Sequence, residues 1–116
     1  MFALEPKLSK NVTVLRLTGD VLINDTREFS RQLDSHLLAP HTREVVLDLS
    51  RAGRMDNAGL GVLVSSSTKG RSRGCRLVLL APAPHVAQLL KQIGIEEFFP
   101  IYENEDELQS HYSLTP

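Results

Sequence analysis

Tryptophan is absent, cysteine occurs once (Cys75), and aromatic residues make up only 5% of the chain. One cysteine cannot close an intrachain disulfide, which suits a reducing cytosol. With so few aromatics, the core has to be built from Leu, Val and Ile. No apolar run approaches the ~20 residues that a membrane-crossing helix needs. Glu5 and Pro6 interrupt the N-terminus before a signal-peptide-like run can form. A cytoplasmic protein with no membrane insertion is therefore expected. Neither sign of charge dominates: 13 Lys and Arg stand against 14 Asp and Glu, for a formal net charge of −1. That balance gives no electrostatic reason to expect direct contact with nucleic acid or an anionic membrane.

The 116 residues, 41% hydrophobic and 23% charged, fit one folded domain over residues 1–116. Residues 11–18 alternate polar and β-branched or leucine residues and predict a strand ended by Gly19-Asp20. Residues 2–8 predict a weaker partner strand, turned at Lys10-Asn11 and placed at a sheet edge by Pro6. Asn24, Asp25 and Thr26 are candidate caps for a helix carrying Phe29, Leu33 and Leu37 on one stripe. The run 44–49 reads as a strand buried on both faces and 50–56 as a loop. Asn57-Ala58-Gly59 opens a helix that ends near Lys69-Gly70.

Residues 76–81 form another buried strand. Pro82 and Pro84 start a helix whose apolar stripe is Val86, Leu89, Leu90 and Ile93, closed by Gly94. A short last strand is expected over 98–101 and an acid-started helix over 103–112. The order is β β α β α β α β α, an α/β fold. After an initial hairpin, strands and helices alternate, so a mixed sheet with helices packed against it follows.

Chemistry-bearing clusters are scarce. His36, His41, His85 and His111 form no i, i+4 pair and Cys75 has no partner at metal spacing, so no metal or other cofactor is expected. Ser65, Ser66 and Ser67 lie in no Gly-x-Ser-x-Gly elbow and read as mid-helix hydroxyls bonded back to i−4 carbonyls. Gly59-Leu60-Gly61 is too short for a nucleotide fingerprint. Lys69, Arg71, Arg73 and Arg76 read first as a solvated helix end and second as an anion patch. The segment Val45 to Gly61 stands out: a buried strand, a short loop, then a helix opened by small residues, with Asp56 or Asn57 as cap and position 58 facing solvent.

This pattern resembles the STAS domains, specifically the anti-sigma-factor antagonists. The matching pieces are Val-Leu-Asp-Leu-Ser at 46–50, Met-Asp-Asn-Ala-Gly-Leu-Gly at 55–61, Leu17-Thr18-Gly19-Asp20, Leu77 to Ala81, and Val86, Leu90 and Ile93-Gly94-Ile95. Together they span roughly residues 5–110. The resemblance implies a non-enzymatic regulator that binds an anti-sigma factor, itself a serine kinase, and so releases a sigma factor for transcription. It implies a contact surface at Asp20 to Asn24 and at Met55, Asp56, Asn57, Ala58, Gly59 and Leu60, with the outer face of the following helix.

In that family the loop reads Asp-Ser-Ser-Gly or Asp-Ser-Thr-Gly, and the kinase phosphorylates the second hydroxyl residue. Here Asp56 and Gly59 match, while the hydroxyl positions hold Asn57 and Ala58. Ala58 cannot accept phosphate, so the phosphorylation site of the family is absent at that position. The chain is then held in the binding-competent form, is regulated otherwise, or carries an alanine introduced by engineering. Ser50, Ser65, Ser66, Ser67 and Thr68 are the hydroxyls left nearby. Two other readings stand beside this one. The first is a STAS subunit of another assembly, either a stress-signalling complex or a lipid-transport ATPase. The second is a small-molecule or nucleotide-binding module using residues 57–60.

Overall fold

The computed structural model describes residues 1–9 and 11–113. Strand β1 (Phe2–Ser9) pairs antiparallel with β2 (Val12–Val21), with Leu4 opposite Leu17. Of the expected hairpin turn, Lys10 lies outside the described residues. A 3-10 turn at Ile23–Asp25 runs into helix α1 (Thr26–Leu37). Then come β3 (Glu44–Asp48), β4 (Ala52–Met55), α2 (Asn57–Arg71), β5 (Arg76–Leu80) and α3 (Pro84–Gln92). A second 3-10 turn at Glu96–Phe98, strand β6 (Ile101–Tyr102) and α4 (Glu105–Ser113) finish the chain.

The sheet runs β1-β2-β3-β5-β6, with β4 beside the far end of β2. Every pairing other than β1 with β2 is parallel. The period-two rule puts Leu15, Leu17, Val45, Leu47, Leu77 and Leu79 on one face, where they meet Phe29, Leu33 and Leu37 of α1, Leu60 and Leu63 of α2, and Val86 and Leu90 of α3. The other face gathers Val46, Val78 and Leu80 against Leu108 of α4. Strand β3 is thus covered on both sides, which is why it reads as an unbroken apolar run. Each fully buried Leu contributes about 1.5–3 kcal/mol, so the leucine-rich core carries the fold without tryptophan.

Four expectations shift. Gly19-Asp20 does not end β2, which continues to Val21. The supposed loop 50–56 contains β4, which pairs with that extension. The last strand lies at 101–102, because residues 96–98 wind into the 3-10 turn. Ile93 is 39% exposed, while Val86 and Leu90 of the same stripe are buried.

The basic cluster is structural. Lys69 Nζ lies 2.8 Å from Asp34 Oδ2, and Arg76 pairs with Glu44 at 3.2 Å. Arg71 stacks 4.5 Å from the Phe98 ring centroid and donates to the Phe98 carbonyl. Arg73 donates to the carbonyls of Leu37 and Ala39 at 3.0 and 3.1 Å, pairing acceptors at and just after the end of α1. The serines do not bond back to i−4 carbonyls as expected. Thr68 does so, to Val64 at 3.0 Å, while Ser66 and Ser67 are buried and Ser65 is exposed. Burial lowers the pKa of the half-buried His36. His41 and His85 are exposed, and His111 lies outside the residues whose side chains are described.

Two glycine substitutions are expected to move stability in opposite directions. Gly19 has φ +83°, and a Cβ there would sit 2.4 Å from the Met1 carbonyl oxygen. Gly19→Ala should therefore destabilise by roughly 1–3 kcal/mol. A Cβ on Gly61, inside α2, meets nothing within 4 Å. Gly61→Ala should stabilise by roughly 0.5–1 kcal/mol. Urea-unfolding midpoints of the two variants check the pair.

Candidate functional site

The register of β4 on β2, Gly19 opposite Ala52 and Val21 opposite Met55, brings segments 19–26 and 52–60 together at one end of the sheet. Asp56 sits where they meet. One carboxylate oxygen accepts from the Gly59 amide at 3.0 Å, capping α2. The other accepts from the Ile23 amide at 3.0 Å. One side chain therefore fixes the start of α2 and the 3-10 turn ahead of α1. The Thr26 hydroxyl adds a bond to the Ile23 carbonyl at 2.9 Å.

Asp20 and Asp25 also turn onto backbone. Asp20 Oδ1 accepts from the Arg54 amide at 2.7 Å, and Oδ2 lies 3.4 Å from the Arg54 guanidinium. The Arg54 amide is the main reason that the Asp20 pKa is lowered. Asp25 accepts from the Leu22 amide at 3.0 Å, which lowers its pKa likewise. Gly53 allows this closeness: a Cβ there would fall 2.3 Å from Asp20 Oδ1. From the far side His85 Nε2 lies 2.6 Å from the Gly53 carbonyl. A carbonyl only accepts, so Nε2 carries the hydrogen. The start of α3 is thereby tied to β4.

The eight residues singled out from sequence divide by direction. Asn24 and Asn57 are exposed, and Asp20, Asp56 and Ala58 are half-buried. Position 58 therefore does not face solvent fully, as the sequence suggested. Met55, Gly59 and Leu60, expected at the contact surface, are buried. Met55 and Leu60 belong to the core cluster. A Cβ on Gly59 would lie 2.9 Å from Met55 Cγ and from the Val21 carbonyl. These three set the shape beneath the surface. The surface itself carries Ile23, which is 68% exposed, and Gly61 and Ser65 on the outer side of α2. Ile23 lies inside the segment Asp20 to Asn24 that the resemblance placed on the contact surface, although by hydropathy alone it only extends the apolar run Val21-Leu22.

At the opposite end of the sheet, Ser67, Arg71, Cys75, Arg76, Phe98 and Pro100 line a shallow cavity of about 320 Å³. Its arginines are the two already engaged with Phe98 and Glu44, and burial raises the pKa of the Cys75 thiol. No helix among the described residues is long and apolar enough to cross a membrane.

Residues 5–103 match a domain-family model described as "Mlab, STAS domain". Among solved structures, an anti-sigma factor antagonist from Mycobacterium paratuberculosis superposes with a TM-score of 0.82 at 17% identity, covering 95% of this chain and 93% of its own. The Bacillus cell fate determinant SpoIIAA in its phosphorylated form gives 0.71 at 16% identity, covering 95% and 99%. A sulfate transporter family protein from Wolinella succinogenes gives 0.74 at 16% identity, covering 93% and 89%. At these identities the shared property is the fold.

Removing the Asp56 clamp is expected to cost stability in steps. Asp56→Asn keeps one acceptor and loses the second, at about 1 kcal/mol, whereas Asp56→Ala loses both, at roughly 2–3 kcal/mol. Thermal denaturation orders the three proteins. Acidification has its own signature. The folded pKa of Asp20 lies below its ordinary 3.8. Its contribution is therefore fully present above pH 3.8 and is lost as pH falls through the lower folded value. The Arg54 amide proton should shift in NMR spectra with a midpoint below pH 3.8, and Asp20→Asn should abolish that titration.

Proposed function

The chain belongs to the STAS-domain family, and we propose that it acts there as a protein-binding regulator of the anti-sigma-factor-antagonist kind, without catalysis of its own. The observation that carries this reading is the pinned junction at Asp56. A 3-10 turn with an exposed Ile23 and a helix start with an exposed Asn57 are held in fixed relation by one carboxylate. The result is a preorganised protruding surface, which lowers the ordering cost of binding a protein. Apart from β4, which returns to pair with β2, the sheet order from β2 onward advances in one direction, without the reversal of the main path at which open α/β sheets form a ligand crevice. That also favours an interaction surface over a small-molecule or nucleotide site at 57–60.

In the antagonist reading the partner is an anti-sigma factor with serine-kinase activity, whose capture frees a sigma factor. Ala58 occupies the second position of the α2 first turn and offers no oxygen to such a kinase. The surface then stays in its binding form. Of the nearby hydroxyls, Ser50 and Ser65 are exposed, whereas Ser66 and Ser67 are buried, so a kinase would have to use 50, 65 or Thr68.

A second reading, a STAS subunit seated on a transport ATPase, is favoured by the alanine itself. A partner that is not a kinase needs no hydroxyl at 58. Both readings use the same surface and differ in the partner's chemistry.

Ala58→Glu is expected to weaken partner binding by about 2–5 kcal/mol, through sterics and a desolvated unpaired charge. The fold should gain roughly 0.3–1 kcal/mol from a carboxylate in the first turn of a helix. Affinity by calorimetry and melting temperature would then move oppositely, which misfolding does not imitate. Ala58→Ser should keep binding, and with a kinase partner it should gain ATP-dependent release. Unchanged affinity of Ala58→Glu would remove the loop from the interface.

A further inference from the structure

The charges on this surface are balanced in sequence and sorted in space. Segments 20–27 and 51–58 carry three acids, Asp20, Asp25 and Asp56, and three bases, Arg27, Arg51 and Arg54. The acids turn inward onto the amides of Arg54, Leu22, Ile23 and Gly59. The arginines are all exposed. Arg54 reaches Asp20 only at 3.4 Å, with 77% of its side chain accessible. Arg27 and Arg51 have no ion-pair or hydrogen-bond partner among the described residues. Ile23, four residues before Arg27, is an apolar side chain 68% exposed on a turn that Asp56 and Thr26 hold through hydrogen bonds. The next acid, the exposed Glu28, is paired with Arg31, and residues 96–107 hold six further acids and no base.

We propose that the occupant of this face is an acidic segment of a protein partner that offers an apolar pocket to Ile23. This rests on the reading of the surface given above and specifies its chemistry. A desolvated side chain at the centre supplies most of the affinity of such a contact. The charged rim mainly sets orientation and association rate and is screened by salt. Arg27 lies one helical turn beyond Ile23, and Arg54 lies on β4 beside Asp20, so the rim spans both segments that Asp56 joins. A nucleic acid would also answer the arginines. An isoleucine at the centre, however, gives bases neither an aromatic platform nor a hydrogen bond.

The test places the photo-crosslinking residue benzoylphenylalanine at 23, 27 or 58 of the full chain in the source cells, with position 88 on α3 as control. Crosslinked peptides are identified by mass spectrometry. Positions 23 and 27 should capture the same protein as 58, through a segment of net negative charge that includes apolar residues. Binding of that purified partner should weaken at least about tenfold in Ile23→Asp. It should weaken by roughly tenfold in the double variant Arg27→Glu, Arg54→Glu, chiefly in association rate, and stay within about threefold in Arg27→Lys, Arg54→Lys. Raising salt from about 50 to 300 mM should slow association to the parent and leave the glutamate variant nearly unaffected.

If 58 captures a protein through a neutral or basic segment, or the glutamate pair binds at the parental rate, the acidic-partner proposal is overturned and the proposed function stands. Crosslinks from 23, 27 and 58 no stronger than from 88 overturn both. Capture of nucleic acid, or of residues 96–107 from a second copy of this chain, overturns the proposal as well.

Discussion

Two backbone N–H groups, those of Ile23 and Gly59, converge on the single carboxylate of Asp56. Each would otherwise be an unpaired donor at the start of a helical segment. By accepting from both, Asp56 turns two independently wound elements into one surface. The rest of that end of the molecule follows from the same constraint. Strand β4 has to reach the end of β2 to deliver Asp56. Gly53 has to lack a side chain so that Asp20 can reach the Arg54 amide, and Gly59 has to lack one so that α2 can start against Val21 and Met55.

That junction stands on a core that does not depend on it. Leu15, Leu47, Leu79 and their neighbours are sealed between the sheet and α1 to α3, and Val46 and Val78 are sealed on the other face. The parallel order β2-β3-β5 places the beginnings of α1, α2 and α3 at a common end, which is where helix starts and loops can be shared. Cations at the opposite end serve the scaffold. Arg73 closes the end of α1 and Arg71 lies over Phe98. The cations beside Asp56, by contrast, are left facing outward.

The fold was largely legible in the linear chain. Alternation in 12–17, the every-fourth stripe Phe29, Leu33, Leu37 and the apolar runs at 45–49 and 77–80 each report a local period of burial that a single element expresses by itself. Proline at 84 and glycine at 94 mark α3 through backbone geometry alone. The cap Asp56 was readable for the same reason, because its bond to Gly59 spans three residues.

What the sequence could not decide was every feature that depends on a partner thirty or more positions away. Ala52–Met55 has no period of its own, and it is a strand only because the end of β2 offers it a ladder. Met55 and Leu60 looked like surface because they flank a loop motif, and the packing of α2 on β4 buries them. Ile23 continues an apolar run, Val21-Leu22-Ile23, and stands out in solvent on a turn bonded to Asp56, a residue 33 positions away. The sequence by itself determined the elements other than β4 and the residues of the family motif, since both rest on local backbone preferences and hydrophobic period. Only the tertiary structure decided which of those residues face outward, because direction is set by long-range packing and hydrogen bonds that have no local signature.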